Sequence, residues 1–489
     1  MSNWRLVGIL SVVFACHGFG TCASKKPWLR IRSEHFTVIT DAGEKRGIEV
    51  ARRCEEMRAA FSILMNRANT HDPAPLLIVA LNGQKEIDDL GRAPASRLQH
   101  AGIFLPGAGE SFILVDASGD LSHTVFHEYA HELLYANTVA NVQTWFDEGF
   151  AEYFSTLESQ HNRTKVGQVP LADLQFLREN GKLMHLADLF HVDQTSTVYN
   201  QNSLSEATFY AESWLLVHYL FDHQLIGQVP PFFAMIAGGT DIEHACQTSF
   251  GMTTTELEDA LLAYAKGERF RFFSLPSVAV SISNPKVEEI SAGAVAAVKA
   301  DIRWHLRTSH TEAEAETYAG QSRDLLAREP NNPAALRGLG VALLFLGDYS
   351  GAQQTLKTAV SVDPDSVLNH YALGVLLDMT ERSAVSTSNS AAEAEALRCT
   401  ELDPDFADAY QLMASAYARQ GRLKDSLAAV EKAIALSPRD EIYSLNLASL
   451  WLKLHQYSDA LALLRRLKAS RNPEISRKAD SFLSTVVEH

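Results

Sequence analysis

Cysteine is scarce in this chain, with five in 489 residues. Three of them, Cys54, Cys246 and Cys399, fall in the body of the sequence. An odd, widely spaced set of this kind excludes a disulfide framework and a cysteine zinc cluster. Positive charge is short as well. Lys and Arg total 43 against 59 Asp and Glu, for a formal net charge of -16 at pH 7, and no local run of Lys and Arg overrides that balance. Such a surface repels phosphate backbones, which excludes nucleic acid as a partner. A membrane-spanning run is missing too. Spanning needs about 20 apolar residues, and the run from Leu6 to Ala15 is soon broken by His17 and Gly18. No transmembrane span is expected in the mature chain.

What remains is ordinary globular material, 46% apolar and 21% charged. At this length it should divide into about three folding units. The first residues, with Arg5 before the apolar run and small residues ending in Thr21-Cys22-Ala23, resemble a secretory signal peptide over 1–23. Export follows as an expectation: periplasmic, cell-envelope or extracellular. Val13-Phe-Ala-Cys16 resembles a lipobox only loosely, with Phe where a small residue is preferred, so a lipid anchor at Cys16 is the alternative.

Residues 28–32 and 35–40 alternate as strands do, Glu44 to Asn66 has helical spacing, and Pro75 to Leu81 reads as a buried strand. Residues 91 to 110 are rich in Gly, Ala and Pro and read as loop, with a further strand at Ser111 to Asp116. From Leu121 to about Lys266 the periodicity is helical. Phe270, Phe272, Phe273, Pro276 and Pro285 then interrupt it, which predicts an extended connector over 271–298. The division is a 24–270 domain, α/β over 24–120 and mainly helical over 121–270, the connector, and a helical array over 299–489.

The array is a repeat. Pro330, Pro364, Pro404 and Pro438 are spaced by 34, 40 and 34 residues, and a tetratricopeptide (TPR) unit has about 34. The six extra residues fall in the Ser/Thr-rich stretch Ser383 to Ser390, where a surface loop absorbs them. Leu336-x2-Leu339-Gly340-x2-Leu343, then Ala352, Leu356, Ala359 and Pro364, stand in the positions of the TPR signature, with Leu replacing its aromatics. This part resembles TPR proteins: an all-α solenoid, with three good repeats and one or two divergent caps, whose groove is expected to bind a protein partner.

The chemistry sits at His127-Glu128-Tyr-Ala-His131, an HExxH pattern on a predicted helix with Ser122 or Asp120 as its N-cap. Side chains four apart lie on one helix face, so both imidazoles can reach one ion at about 2.0 to 2.1 Å. Seventeen residues after His131 comes Glu148-Gly-Phe-Ala-Glu152. Together these segments resemble the gluzincin zinc metallopeptidases, in particular their peptidase-MA-like relatives that carry TPR repeats, over roughly residues 28 to 265. The resemblance implies an α+β fold, a small sheet with active-site helices and a helical subdomain.

It also implies a site. His127, His131 and Glu148 would hold one Zn2+ per chain, Glu128 would be the general base, and Glu152 would orient a ligand histidine, its bland reading being a solvated carboxylate. Tyr210, in Thr208-Phe-Tyr-Ala-Glu-Ser-Trp214, matches the segment that carries an oxyanion donor, although it equally fits an amphipathic core face. His123, one turn before His127, fits a helix-start or supporting role. Strand 111–116 stands where relatives pair substrate backbone with a sheet edge. The resulting expectation is a zinc peptidase acting on a peptide or protein substrate. The alternative is a non-catalytic TPR scaffold with a structural or vestigial zinc domain.

Overall fold

The computed structural model describes residues 27–65, 70–90, 102–138, 142–160, 162–193, 196, 204–276, 285–306, 310–381, 390–470 and 472–487. The expected leader with Cys16 and Cys22, and residues 383–389 of the Ser/Thr-rich insertion, lie outside them.

The chain opens with β1 (Leu29–Arg32), β2 (Thr37–Thr40), α1 (Glu44–Leu64), β3 (Leu76–Leu81), α2 (Gln84–Leu90), β4 (Gly102–Leu105) and β5 (Ser111–Asp116). Two helices, α3 (Leu121–Asn137) and α4 (Thr144–Ser155), are followed by a hairpin of β6 (Glu158–Gln160) and β7 (Arg163–Val166). Then come α5 (Leu171–Asn180), α6 (Leu186–Leu189), α7 (Leu204–Asp222), α8 (Val229–Ala237), α9 (Ile242–Phe250) and α10 (Thr254–Lys266), with β8 (Phe273–Pro276) and β9 (Lys286–Glu289) after them. The remainder is helical: α11 (Ala292–His305), α12 (Glu312–Leu326), α13 (Pro333–Phe345), α14 (Tyr349–Val362), α15 (Val367–Glu381), α16 (Ala391–Leu402), α17 (Ala407–Arg419), α18 (Leu423–Leu436), α19 (Glu441–Lys453), α20 (Tyr457–Lys468) and α21 (Pro473–Val487).

Six strands form one mixed sheet in the order β4-β5-β3-β2-β1-β9, parallel from β2 through β3 to β5 and antiparallel elsewhere. Side chains alternate along a strand, so Ile78 and Ala80 of β3 and Ile113 and Val115 of β5 join the large core under α1 and α3. Val79, Leu81, Phe112 and Leu114 face the other way and pack with Ile87 of α2 and Ile302 of α11. Burial on both faces explains why these strands read as continuous apolar runs.

One sequence expectation is corrected here. Strand 111–116 is not an edge: β3 takes one side of it and β4 the other. The edge belongs to β4, whose four residues lie inside the stretch read as loop. The segment 271–298 supplies β8, which pairs with the β6-β7 hairpin, and β9, which pairs with β1. It also begins α11, whose Val295 and Ile302 cover the second sheet face.

Aromatic residues fill the helical half. Trp145, Phe150 and Phe154 of α4 are buried with Phe61, Phe190, Phe209 and Phe232. Glu212 of α7 is fully buried in the same core: its Oε2 accepts the Met184 N–H at 2.7 Å, whereas its Oε1 has no hydrogen-bond partner. Burial, with nearby Glu258 adding to it, pushes this carboxyl from 4.5 up to about 8. The folded chain then keeps a proton that the unfolded chain releases near pH 4.5, so stability is lost as pH rises between those two values. Glu212→Gln is expected to remove that loss, worth on the order of 4 kcal/mol above pH 8. Melting curves at pH 5 and pH 9 check this: parallel falls for wild type and variant would refute it.

From α12 to α21 consecutive helices pack on their neighbours. Asp363, Asp403 and Ser437 cap α14, α16 and α18, and in each case Pro follows and ends the helix. The array touches the N-terminal domain along several helices. Ala407 N–H donates to the Pro73 carbonyl at 2.8 Å, Gly109 N–H donates to Asp408 Oδ2 at 2.7 Å, and Arg337, paired with Asp301 of α11 at 2.6 Å, reaches Glu110 at 3.5 Å. Ala74 is buried among Cys399, Phe406 and Ala409. No helix among the described residues is long and apolar enough to cross a membrane.

Candidate metal centre

Two helices build the site. Asp120 caps α3, accepting the Ser122 N–H at 3.0 Å, and the helical turn then sets His127 above His131. Helix α4 runs against both α3 and α7. Its close approach to α7 depends on Gly149: a methyl there would overlap the Ser213 carbonyl and come within 2.8 Å of Val217 Cγ2. The absent side chain lets α4 bring Glu148 under the two imidazoles.

His127 Nε2 and His131 Nε2 lie 3.1 Å apart, and Glu148 Oε2 is 3.4 Å from the first and 3.6 Å from the second. Ligand atoms held at about 2.0 to 2.1 Å in a tetrahedron stand about 3.3 to 3.4 Å apart. The three atoms thus already outline one tetrahedral face. Two nitrogens and a carboxylate oxygen are a donor set that suits zinc, and it is the set that converges among the described residues.

The supporting contacts complete the geometry. His131 Nδ1 donates to Asp147 Oδ1 at 2.8 Å, which turns Nε2 toward the site. Asp147 Oδ2 in turn accepts from Arg439 at 2.9 Å. Glu152 sits between two histidines, accepting from His123 Nε2 at 3.0 Å and standing 3.3 Å from His127 Nδ1, close enough for charge pairing but off-line for a hydrogen bond. Glu128 is buried, and its carboxylate lies against Gly102 of the edge strand, where a Cβ would come within 2.9 Å of Oε1.

Charge reinforces position. Burial opposes a proton on His131, yet Glu148 and Asp147 outweigh it and raise its pKa to about 10. Burial opposes a proton on His127 as well, and Glu152 and Glu148 carry it well above the imidazole range. Burial would raise the Glu148 carboxyl, but His131 and His127 hold it well below the carboxylate range. Carboxylates thus compensate the buried imidazoles, and a bound cation would take over the charge of the protons it displaces.

The structure brings His127, His131 and Glu148 together, with Glu128 and Glu152 beside them. Tyr210 lies on α7, half-buried, packed on the main core beside Phe209 at 5.5 Å between ring centroids. Sequence reasoning missed Asp147 and Arg439. Asp147 carried a weak signal, an acid one residue before the expected ligand, but an acid in the first turn of a helix ordinarily serves the helix dipole. A cleft of about 1130 Å3 opens onto Asp147 and Glu148, with Arg439, Glu441 and Asn472 of the repeat array forming part of its wall.

Comparison with known proteins finds matches over three separate stretches of the chain. Residues 121–230 match a family described as a protein of unknown function (DUF1570). Residues 313–373 and 412–474 match tetratricopeptide repeat models. The C-terminal helices are tetratricopeptide repeats. Such repeats indicate protein partners. Among solved structures, a thermophilic TPR protein of Thermus thermophilus is 21% identical over 35% of this chain and 91% of its own, with a TM-score of 0.32. MamA (41-end) of Desulfovibrio magneticus is 20% identical over 39% and 97%, with a TM-score of 0.30. No curated protein matches the chain.

Proposed function

We propose that this protein is a zinc-dependent peptidase whose repeat array binds protein partners or substrate. The observation that carries the reading is the triad of His127 Nε2, His131 Nε2 and Glu148 Oε2, spaced 3.1 to 3.6 Å apart. When bound there, Zn2+ supplies a Lewis acid that acidifies water and polarises a carbonyl. The chain's own residues do the rest. Glu128, buried on the ligand helix itself between the two histidines, accepts the proton of the attacking water and returns it to the leaving amine. Asp147 holds the His131 ring in one tautomer, and Glu152 steadies the His127 side. The edge of β4, alongside Glu128, offers backbone groups for pairing with an extended peptide. Tyr210 is the proposed oxyanion donor.

The experiment is metal analysis of residues 24–489 by plasma mass spectrometry, wild type beside His131→Ala. About one zinc per chain in the wild type and its loss in the variant is the expected result. No zinc in either protein would overturn the reading.

A second reading has its own support: tetratricopeptide repeats make up much of the chain, and the family matched by the metal helices carries no assigned activity. In it, the protein is a scaffold and the zinc domain is structural or vestigial. Retention of Glu128, which a purely structural site does not need, favours the peptidase. Zinc-loaded protein that cleaves no peptide of a diverse library would favour the scaffold.

A further inference from the structure

Arg439 follows the proline that ends α18 and sits in the turn before α19, a position that in isolation suggests a solvated surface arginine. In the folded chain it crosses to the metal centre. Its Nη2 donates to Asp147 Oδ2 at 2.9 Å across 292 residues of sequence, and its guanidinium lies over the Tyr135 ring of α3 at 5.4 Å. The other oxygen of Asp147 accepts from His131 Nδ1. The relay His131–Asp147–Arg439 therefore starts at an expected metal ligand and ends in the repeat array.

A carboxylate behind a ligand histidine fixes the ring's tautomer and orientation. It does so only if its own rotamer is fixed, and a planar guanidinium on its far oxygen supplies that constraint. Stacking over Tyr135 orients the guanidinium in turn. Glu441 and Asn472 flank Arg439 on the cleft wall, so the array also bounds the space that a substrate would enter.

We propose that the repeat array is a working part of the metal centre, with Arg439 a positioning residue that holds Asp147 on His131. This inference rests on the metal-site reading above, and the test separates the two. Zinc affinity of the full chain is measured by chelator competition, and the visible spectrum of the Co2+-loaded protein reports ligand geometry. Arg439→Ala is expected to weaken zinc binding about 10- to 100-fold, the range for loss of a group behind a metal ligand, and to shift the cobalt bands. Arg439→Lys restores part of the affinity, because an ammonium replaces the charge but not the fork. In an Asp147→Asn background, the substitutions at Arg439 should have little further effect. Asp408→Asn is a docking control, since Asp408 accepts from Gly109 and Tyr443 and does not touch the relay; it should leave zinc affinity unchanged.

Wild-type zinc binding with Arg439→Ala within twofold of it would overturn the inference while leaving the metal reading standing. Absence of zinc from the wild type would remove the metal reading itself. If Arg439→Ala disrupts the array, Arg439→Lys compared with and without Asp147→Asn decides: equal affinities in the presence of Asp147 for Lys and Arg overturn the proposal.

Discussion

Glu128→Gln should leave a folded, zinc-loaded protein that no longer cleaves peptides. Glutamine has the same shape and sits equally well against Gly102, so melting temperature and metal content are expected to stay near wild type. Only the capacity to take a proton is lost, and general base catalysis is commonly worth about 10²- to 10⁴-fold in rate. Hydrolysis of a peptide found by library screening, measured at equal zinc content, reads the effect. Wild-type turnover in the variant would sink the proposed mechanism. Loss of zinc would instead make Glu128 a ligand and require a different assignment of the base.

A single methyl at Gly149 is expected to do comparable damage by another route. Glycine inside a helix ordinarily gains about 1 kcal/mol on replacement by alanine, so propensity alone predicts stabilisation. The added carbon, however, meets the Ser213 carbonyl of α7. Backbone cannot swing aside as a side chain does, and overpacking of this kind costs about 1 to 3 kcal/mol or more. The clash wins, and α4 must withdraw from α7, carrying Glu148 with it. Gly149→Ala should therefore show a lower melting temperature together with weaker zinc binding. Unchanged values for both would mean that the spacing between α4 and α7 is not what sets the ligand in place.

The parts of the site that were legible in sequence are those built locally. His127 and His131 are one helical turn apart, so periodicity alone sets them on one face, whereas Glu148, on the next helix, is reached only through the resemblance of its segment to the gluzincins. The repeats were legible for a related reason: each unit is a local helix pair ended by proline. Distance in sequence hid the rest. The four residues of β4 are too few and too Gly-flanked to stand out from loop, and their role is set by pairing with β5. The partnership of Arg439 with Asp147 leaves no mark on either residue's neighbours. Strand 111–116 is legible as a strand to the residue, but its place inside the sheet depends on β4.

The pairing of β1 with β9 has a consequence for how the chain must be made. Arg32 and Lys286 are register partners, so the first strand to leave a ribosome has no final neighbour on that side until some 250 residues later. At about 5 to 20 residues per second, that is a wait of roughly 10 to 50 seconds with an open sheet edge. The second apolar face stays uncovered a little longer, until Ile302 arrives. A chain cut short before residue 292 would keep the metal ligands and still expose that face, so the smallest fragment able to fold on its own should include α11.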